Sequence, residues 1–312
     1  MENPRIVFFG TPVFASGMLK VLIEDHYNVV LAVTQPDRPV GRKKIIQRTP
    51  VAALADENGI PVLQPQKLSA EADAILACEP DLIVTCAYGQ FVPSKILNAP
   101  KYGALNVHPS LLPKYRGGAP IQRAIMNGDK KTGVCLMEMI KAMDAGRVYA
   151  RVETEIGEDE TGTELFERLE GISAKLLRDN LPLYLEGKLE GVPQNDEEAV
   201  LAPNIAREEE LVHFADSDID TLYNHIRGLI EEPCAYGMVN GKRFKFCKVR
   251  KQNCVPSEAP GTIAGFENHA MKIAANGGYL LVMEMQPEGR SRMNADAFAN
   301  GAGRGLINAV FE

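Results

Sequence analysis

The 312-residue sequence has no tryptophan and no Cys-x-x-Cys pair. Its six cysteines (Cys78, Cys86, Cys135, Cys234, Cys247 and Cys254) are scattered, and none stands at a metal-ligand spacing from the five histidines. This argues against zinc modules and against a disulfide framework, and free thiols in a reducing compartment are expected. No apolar stretch approaches the roughly 18–20 residues that cross a bilayer, so no membrane association is expected. Met1 to Ile6 run straight into an apolar segment without a charged-then-apolar leader, and a cytoplasmic location is expected. Positive charge is scarce as well: the net charge is −7, from 34 basic and 41 acidic side chains. The deficit is spread along the chain, so any nucleic-acid contact must use local patches. The glycine fingerprint of dinucleotide-binding folds is missing after the first apolar strand, which argues against nicotinamide chemistry. Gly301-Ala-Gly-Arg-Gly305 follows no strand and reads as a loop.

The length suits two domains. Continuous apolar runs at Arg5–Gly10, Asn28–Thr34, Asp81–Ala87 and Gly103–Val107 alternate with helical patterns at 13–24, near 49–57, at 68–77 and near 119–127. Apolar strands separated by helices predict an α/β fold with a mostly parallel sheet covered on both faces. Strands at 132–139 and 148–156 follow, then a long amphipathic helix over 162–187 with Leu165, Leu169, Ile172, Leu176 and Leu183 on one side. The polar stretch from Glu190, with Pro and Gly in it, reads as a linker. Beyond a helix at 216–230, short strands with Asn240-Gly241, Pro260-Gly261 and Gly277-Gly278 turns predict a small β-barrel. The expected domains are 1–189 and 208–312, joined by 190–207.

The most informative segment is 103–118, GALNVHPSLLPKYRGG. Asn106 and His108 are two residues apart on a strand, so both leave the same face. Pro109 ends ladder pairing, and a Pro- and Gly-rich loop leads away. The carboxyl ends of strands are where open α/β sheets place chemistry. Asn offers hydrogen bonds to an oxygen gaining charge, and His offers or takes a proton near neutral pH. Asp144, in Lys-Ala-Met-Asp-Ala-Gly, is either a turn former or a carboxylate that reaches His108. Spacing leaves both readings open.

Asn106-x-His108, Ser110-Leu-Leu-Pro113-x-x-Arg116-Gly117 and the later Asp-x-Gly resemble the folate-dependent formyltransferases that use 10-formyltetrahydrofolate. The resemblance extends from Phe8-Phe-Gly-Thr-Pro12 through Ala87-Tyr-Gly-Gln90 to the C-terminal module. It implies a Rossmann-like catalytic domain and an oligonucleotide-binding-like (OB-like) barrel. It implies Asn106, His108 and Asp144 as the catalytic set. It also implies a folate site at Ser110, Leu111, Leu112 and Pro113, with Tyr88, Gly89 and Gln90 beside it, and no metal.

Residues 38–48 hold five basic side chains (Arg38, Arg42, Lys43, Lys44 and Arg48) and no acid. Taken alone, a basic run is a solvated loop. This one interrupts the sheet near the site and carries Ile45-Ile46, so cations can meet phosphates while apolar side chains wedge against a helix end. It resembles the insertion that meets the acceptor stem in members acting on initiator methionyl-tRNA, with Arg42 its best single candidate. Asn240–Lys251 packs six basic residues without an acid; charge alone leaves a polar strand face equally open, and the resemblance makes Lys242, Arg243 and Lys245 tRNA contacts. The chain departs from the family's pattern at Cys135, where Thr is common, at Arg147, where an acid is common and whose cation falls close to Asp144, and in 230–234, which lacks an aromatic.

The expected activity is formyl transfer from 10-formyltetrahydrofolate to the α-amino group of methionyl-initiator tRNA, by a monomer. An amino-sugar nucleotide is the alternative acceptor, and a binding protein without turnover would not need all three catalytic residues.

Overall fold

The computed structural model describes residues 3–40 and 45–312. They fall into two compact units, one made of residues up to Pro120, Thr132–Thr154 and Phe166–Pro203, the other of Ile121–Lys131, Glu155–Leu165 and Asn204–Glu312. In chain order the elements are β1 (Arg5–Gly10), α1 (Val13–Glu24), β2 (Asn28–Val33), β3 (Arg38–Val40), β4 (Ile45–Gln47), α2 (Pro50–Glu57), β5 (Val62–Leu63), α3 (Ala72–Leu76), β6 (Leu82–Cys86), α4 (Ser94–Leu97) and β7 (Ala104–His108). Then come α5 (Pro120–Met126), β8 (Lys131–Glu138), β9 (Val148–Glu155), α6 (Gly162–Leu185), α7 (Ile219–Gly228), β10 (Tyr236–Val239), β11 (Lys242–Asn253), β12 (Ile263–Glu267), β13 (Ala270–Ala275), β14 (Gly278–Pro287), β15 (Met293–Asn294) and α8 (Ala295–Asn300).

The first unit is built on a seven-stranded sheet in the order β5-β2-β1-β6-β7-β8-β9. From β5 to β7 each pairing is parallel, and β8 joins β7 antiparallel, as the apolar runs predict. β1 and β6 have no polar alternation because both their faces are covered, and all of β6 is buried. α1 packs through Phe14, Met18 and Leu22, an i, i+4 ridge. α2 starts where Pro50 presets the first helical turn and the Thr49 hydroxyl accepts from Ala52 N–H at 3.3 Å. The strand order reverses between β1 and β6, the crevice where such sheets bind ligands.

Three local expectations change. Within 38–48, Arg38–Val40 and Ile45–Gln47 pair as a two-stranded hairpin instead of a loop. The 68–77 helix divides into a 3₁₀ turn at Leu68–Ala70 and α3. On α6 the buried stripe runs Leu165, Leu169, Ser173, Leu176, Leu177, Leu181, while Leu183 is exposed. Steps of four residues carry the contact line around the helix, away from the 3.5-residue seam that would include Leu183.

Residues 190–203, where a linker is expected, pair their backbone with the first unit. Val192 and Val148 exchange N–H···O bonds of 2.9 Å, and Ala202 N–H donates to Arg116 O at 2.7 Å. Composition hides this, because the ladder uses backbone groups that any residue supplies.

The second unit is an antiparallel sheet in the order β10-β11-β14-β13-β12, with β15 on β14. Val310 bridges Thr262 and Phe311 bridges Val239, so the last residues tie one edge of the sheet to the other, in keeping with the expected barrel. Phe244, Phe246, Phe298 and Phe311 meet edge-on or tilted in its core, with centroids 5.5 to 5.8 Å apart for the Phe244–Phe298, Phe244–Phe311 and Phe246–Phe311 pairs. α7 covers this core with Ile219, Leu222, Tyr223 and Ile226, and Asp218 caps its first turn.

Within this unit the Arg123 guanidinium grips Glu209 with two nitrogens, and the carboxyl also accepts from Ala206 N–H at 2.9 Å. Arg123 is the largest cause of a drop in the Glu209 carboxyl to about 2. A depressed carboxylate stabilises the fold fully above its unfolded value near 4.5 and loses that contribution as pH falls toward 2. Glu209→Gln is therefore expected to lower stability by about 1 kcal/mol at pH 7 and by almost nothing near pH 2, read from urea midpoints at both pH values.

Candidate active site

β7 ends at the site, and its neighbours fix the geometry. Asn106 is its one residue that is not fully buried. The Thr85 hydroxyl, opposite in the β6–β7 register, lies 2.8 Å from Asn106 Oδ1. With the amide oxygen engaged, Asn106 Nδ2 has no partner among the described residues and keeps two donors for a ligand. His108 is 4% exposed and is held from both sides. Its Nε2 lies 2.9 Å from Tyr115 O, and a carbonyl only accepts, so Nε2 carries a proton. Its Nδ1 faces Asp144 Oδ2 at 3.8 Å. That carboxylate oxygen also accepts from Gly117 N–H at 2.9 Å.

The loop conformations behind this arrangement are uncommon. Ala87, just past β6, and Tyr115 and Asp144, in loops around the site, take left-handed φ of 45°, 64° and 49°. Each costs on the order of 1–3 kcal/mol for a non-glycine residue and persists only where its surroundings enforce it. Gly117 has φ 130°, and a Cβ there would stand 2.5 Å from Ala202 O. Only glycine lets the backbone donate to Asp144 while pressed against residues 202.

The Ser110–Pro113 segment turns back under β7. The buried Ser110 hydroxyl donates to Lys114 O at 2.7 Å, and Leu112 is buried with Cys135 and Met137. Leu111 and Pro113 are the half-exposed members of that set. In the 88–90 loop, Tyr88 is buried edge-on to Phe9, and burial pushes its phenol up to about 12. Gln90 is spent on Leu68 N–H and Pro65 O, whereas Gly89 is exposed. Thr11 Oγ1 and Gln35 Nε2 both donate to Tyr88 O, at 2.9 and 3.1 Å, and so pin this loop at the β1–β6 crevice. A cleft of about 450 Å³ lies there, lined by Thr11, Gln35, Arg38, Arg48 and Gly89 among others; Asn106, His108 and Asp144 do not line it.

Residues 4–181 match the formyl transferase family and residues 204–303 match the formyl transferase C-terminal domain. The chain belongs to the formyltransferase family. Methionyl-tRNA formyltransferases of Bacillus mycoides (strain KBAB4) and Bacillus cereus (strain AH187) are 46% and 47% identical to it over 300 residues, 95% of each chain. Among solved structures, an N-formyltransferase from Helicobacter canadensis with folinic acid and dTDP-3-aminofucose superposes with a TM-score of 0.69 at 17% identity, over 89% of this chain and 98% of that one. HypX from Aquifex aeolicus in complex with tetrahydrofolic acid gives 0.67 at 17% identity, over 98% of this chain and 48% of that one. At such identity these two share the fold.

Against that family background, several expectations are refined. Thr85 and Gln194 hold site residues although sequence reading passed over both. A polar residue near the end of an apolar strand was the available signal for Thr85, and none existed for Gln194. Arg147 is exposed beside Tyr149 and Gly191, and no ion pair joins it to Asp144 among the described residues. Cys135 sits opposite His108 in the β7–β8 register, where burial pushes its thiol up to about 11, so it packs as a neutral group.

Among the expected tRNA contacts, Arg42, Lys43 and Lys44 lie outside the described residues. Arg38 is exposed on the hairpin beside Ile45 and Ile46, which are 60% and 69% exposed. Arg48 is drawn inward by Asp37 and Asp56, acids just outside the basic run. On β11 the six cations divide. Lys251 pairs with Asp220 at 2.5 Å, Arg250 with Asp159 at 3.4 Å, and Lys248 stands opposite Glu284. Lys242, Arg243 and Lys245 have no salt bridge among the described residues. No group of acidic, histidine or cysteine side chains among those residues could hold a metal ion, and no helix is long and apolar enough to cross a membrane.

Proposed function

We propose that this formyltransferase moves the formyl group of 10-formyltetrahydrofolate to the α-amino group of methionyl-initiator tRNA, with Asn106, His108 and Asp144 as its catalytic set. The observation that carries this reading is Asn106 Nδ2, without a partner among the described residues, on the same strand face as His108, which faces Asp144, in a chain nearly half identical to the named Bacillus relatives. The neutral amine attacks the formyl carbon, a C–N bond forms, and the carbonyl oxygen gains negative charge. Asn106 Nδ2 holds that oxygen, and His108 joins it by turning Nε2–H from Tyr115 O to the substrate. Asp144, facing Nδ1, orients the imidazole. As the bond to N10 breaks, the proton lost by the amine passes to N10 through His108 or a water held by Asp144.

The half-exposed Leu111 and Pro113, with Gly89 at the mouth of the cleft, are the members of the expected folate set free to touch the donor. Lys242, Arg243, Lys245 and Arg38, with Arg42, Lys43 and Lys44, serve the tRNA.

Purified protein with 10-formyltetrahydrofolate is expected to formylate methionyl-tRNA and to leave an amino-sugar nucleotide untouched, scored by mass spectrometry of each acceptor. Formylation of the sugar alone would overturn the acceptor assignment, and formylation of neither would overturn the enzymatic reading.

A further inference from the structure

Asp144 is fixed through two of its own ends. Its carboxylate accepts from Gly117 N–H at 2.9 Å, and its backbone carbonyl accepts from Gln194 Nε2 at 2.8 Å. The same Gln194 nitrogen donates to Gly146 O at 2.7 Å, and Gln194 Oε1 accepts from Arg116 Nε at 3.1 Å. Arg116 is the residue before Gly117, so the contacts close a ring that runs from the Asp144 carboxylate through residues 117 and 116 and the Gln194 amide to the Asp144 carbonyl. Every donor and acceptor class of the Gln194 side chain is used, which is uncommon for a half-exposed residue in a polar, Pro-containing stretch. Arg116 is buried and its other nitrogen is held by Asp196 at 2.7 Å, so the ring is anchored on a cation that has little freedom.

We propose that Gln194 is a positioning residue for Asp144. It holds the 144–146 loop, in which Asp144 is left-handed, so that the carboxylate keeps facing His108 Nδ1. The proposal rests on the catalytic reading of Asp144 above. A glutamate at 194 separates the two tasks of the side chain. It keeps an acceptor for Arg116, and so keeps residues 190–203 pinned, but it turns oxygens toward the Asp144 and Gly146 carbonyls, which have no hydrogen to give.

The test compares full-length Gln194→Glu, Asp144→Asn and the double variant in steady-state formylation of methionyl-tRNA, with thermal midpoints alongside. Gln194→Glu is expected to lower kcat about tenfold with KM for both substrates unchanged, since it touches neither. In the Asp144→Asn background the Gln194→Glu change is expected to have almost no further effect on kcat. An unchanged kcat in Gln194→Glu would overturn the proposal, as would losses that multiply in the double variant. Near-normal turnover in Asp144→Asn would instead overturn the catalytic reading of Asp144, and the proposal with it. A lowered midpoint whose kcat loss persists in full in the Asp144→Asn background would mark Gln194 as a purely structural strap, again overturning it.

Discussion

Asn106→Ala is expected to slow formyl transfer by roughly 10²–10³-fold, the usual consequence of removing one donor to a developing oxyanion. The change should leave the fold intact. Asn106 contributes no apolar surface to the core and is the half-exposed residue of β7, so its loss empties no large cavity. It does release the Thr85 hydroxyl, which finds an acceptor at Leu105 O, 3.2 Å away. That second partner is why a buried unsatisfied group, worth about 1–3 kcal/mol, is not created. The loss should fall on kcat and not on the thermal midpoint. Single-turnover kinetics with saturating methionyl-tRNA isolates the chemical step from product release. A rate within threefold of the parent chain would remove Asn106 from the oxyanion role.

The second large effect concerns acceptor binding. Among the described residues Lys242, Arg243 and Lys245 have no salt bridge, unlike Arg250 and Lys251 on the same strand. Replacing all three with alanine is expected to flatten the slope of log affinity against log salt by about 2–3, near one per phosphate contact. At low salt the affinity for methionyl-tRNA should fall by on the order of 10²-fold. Arg243 also lies over the Tyr236 ring, 5.5 Å from its centroid, so part of its loss is packing and the salt slope is the cleaner readout. Lys251→Ala provides the contrast. Its ammonium is already neutralised by Asp220, so the slope should stay as it is while stability falls slightly. Equal slopes for the triple variant and the parent would move the tRNA site off β11.

Much of this architecture is written in the periodicity of the chain. Unbroken apolar runs at 5–10 and 82–86 can be buried only in a parallel sheet covered on both faces, and the i, i+2 relation of Asn106 and His108 holds for any strand. What stays hidden depends on long-range contacts. The hairpin within 38–48 has too few apolar residues to announce itself, and Arg48 could not be subtracted from the basic run without seeing Asp56 fold onto it. Asp144 shows the same limit, since a turn former and a base-orienting carboxylate share one sequence signature. Its backbone is left-handed, as a turn former's can be, and its carboxylate lies 3.8 Å from His108 Nδ1. The stretch after Glu190 was misread because composition reports side chains, whereas this segment is held mainly by its backbone and one amide.

That last arrangement sets where the chain can be cut. A catalytic fragment ended at residue 189, the natural choice from composition, would leave behind the amide bonded to Asp144 O, the Asp196 carboxylate paired with Arg116 and the two bridges that join Val192 to Val148 and Leu201 to Arg116. Expression trials of an isolated N-terminal half should run through Pro203, so that the fragment carries its own brace and exposes no raw edge along residues 113–119.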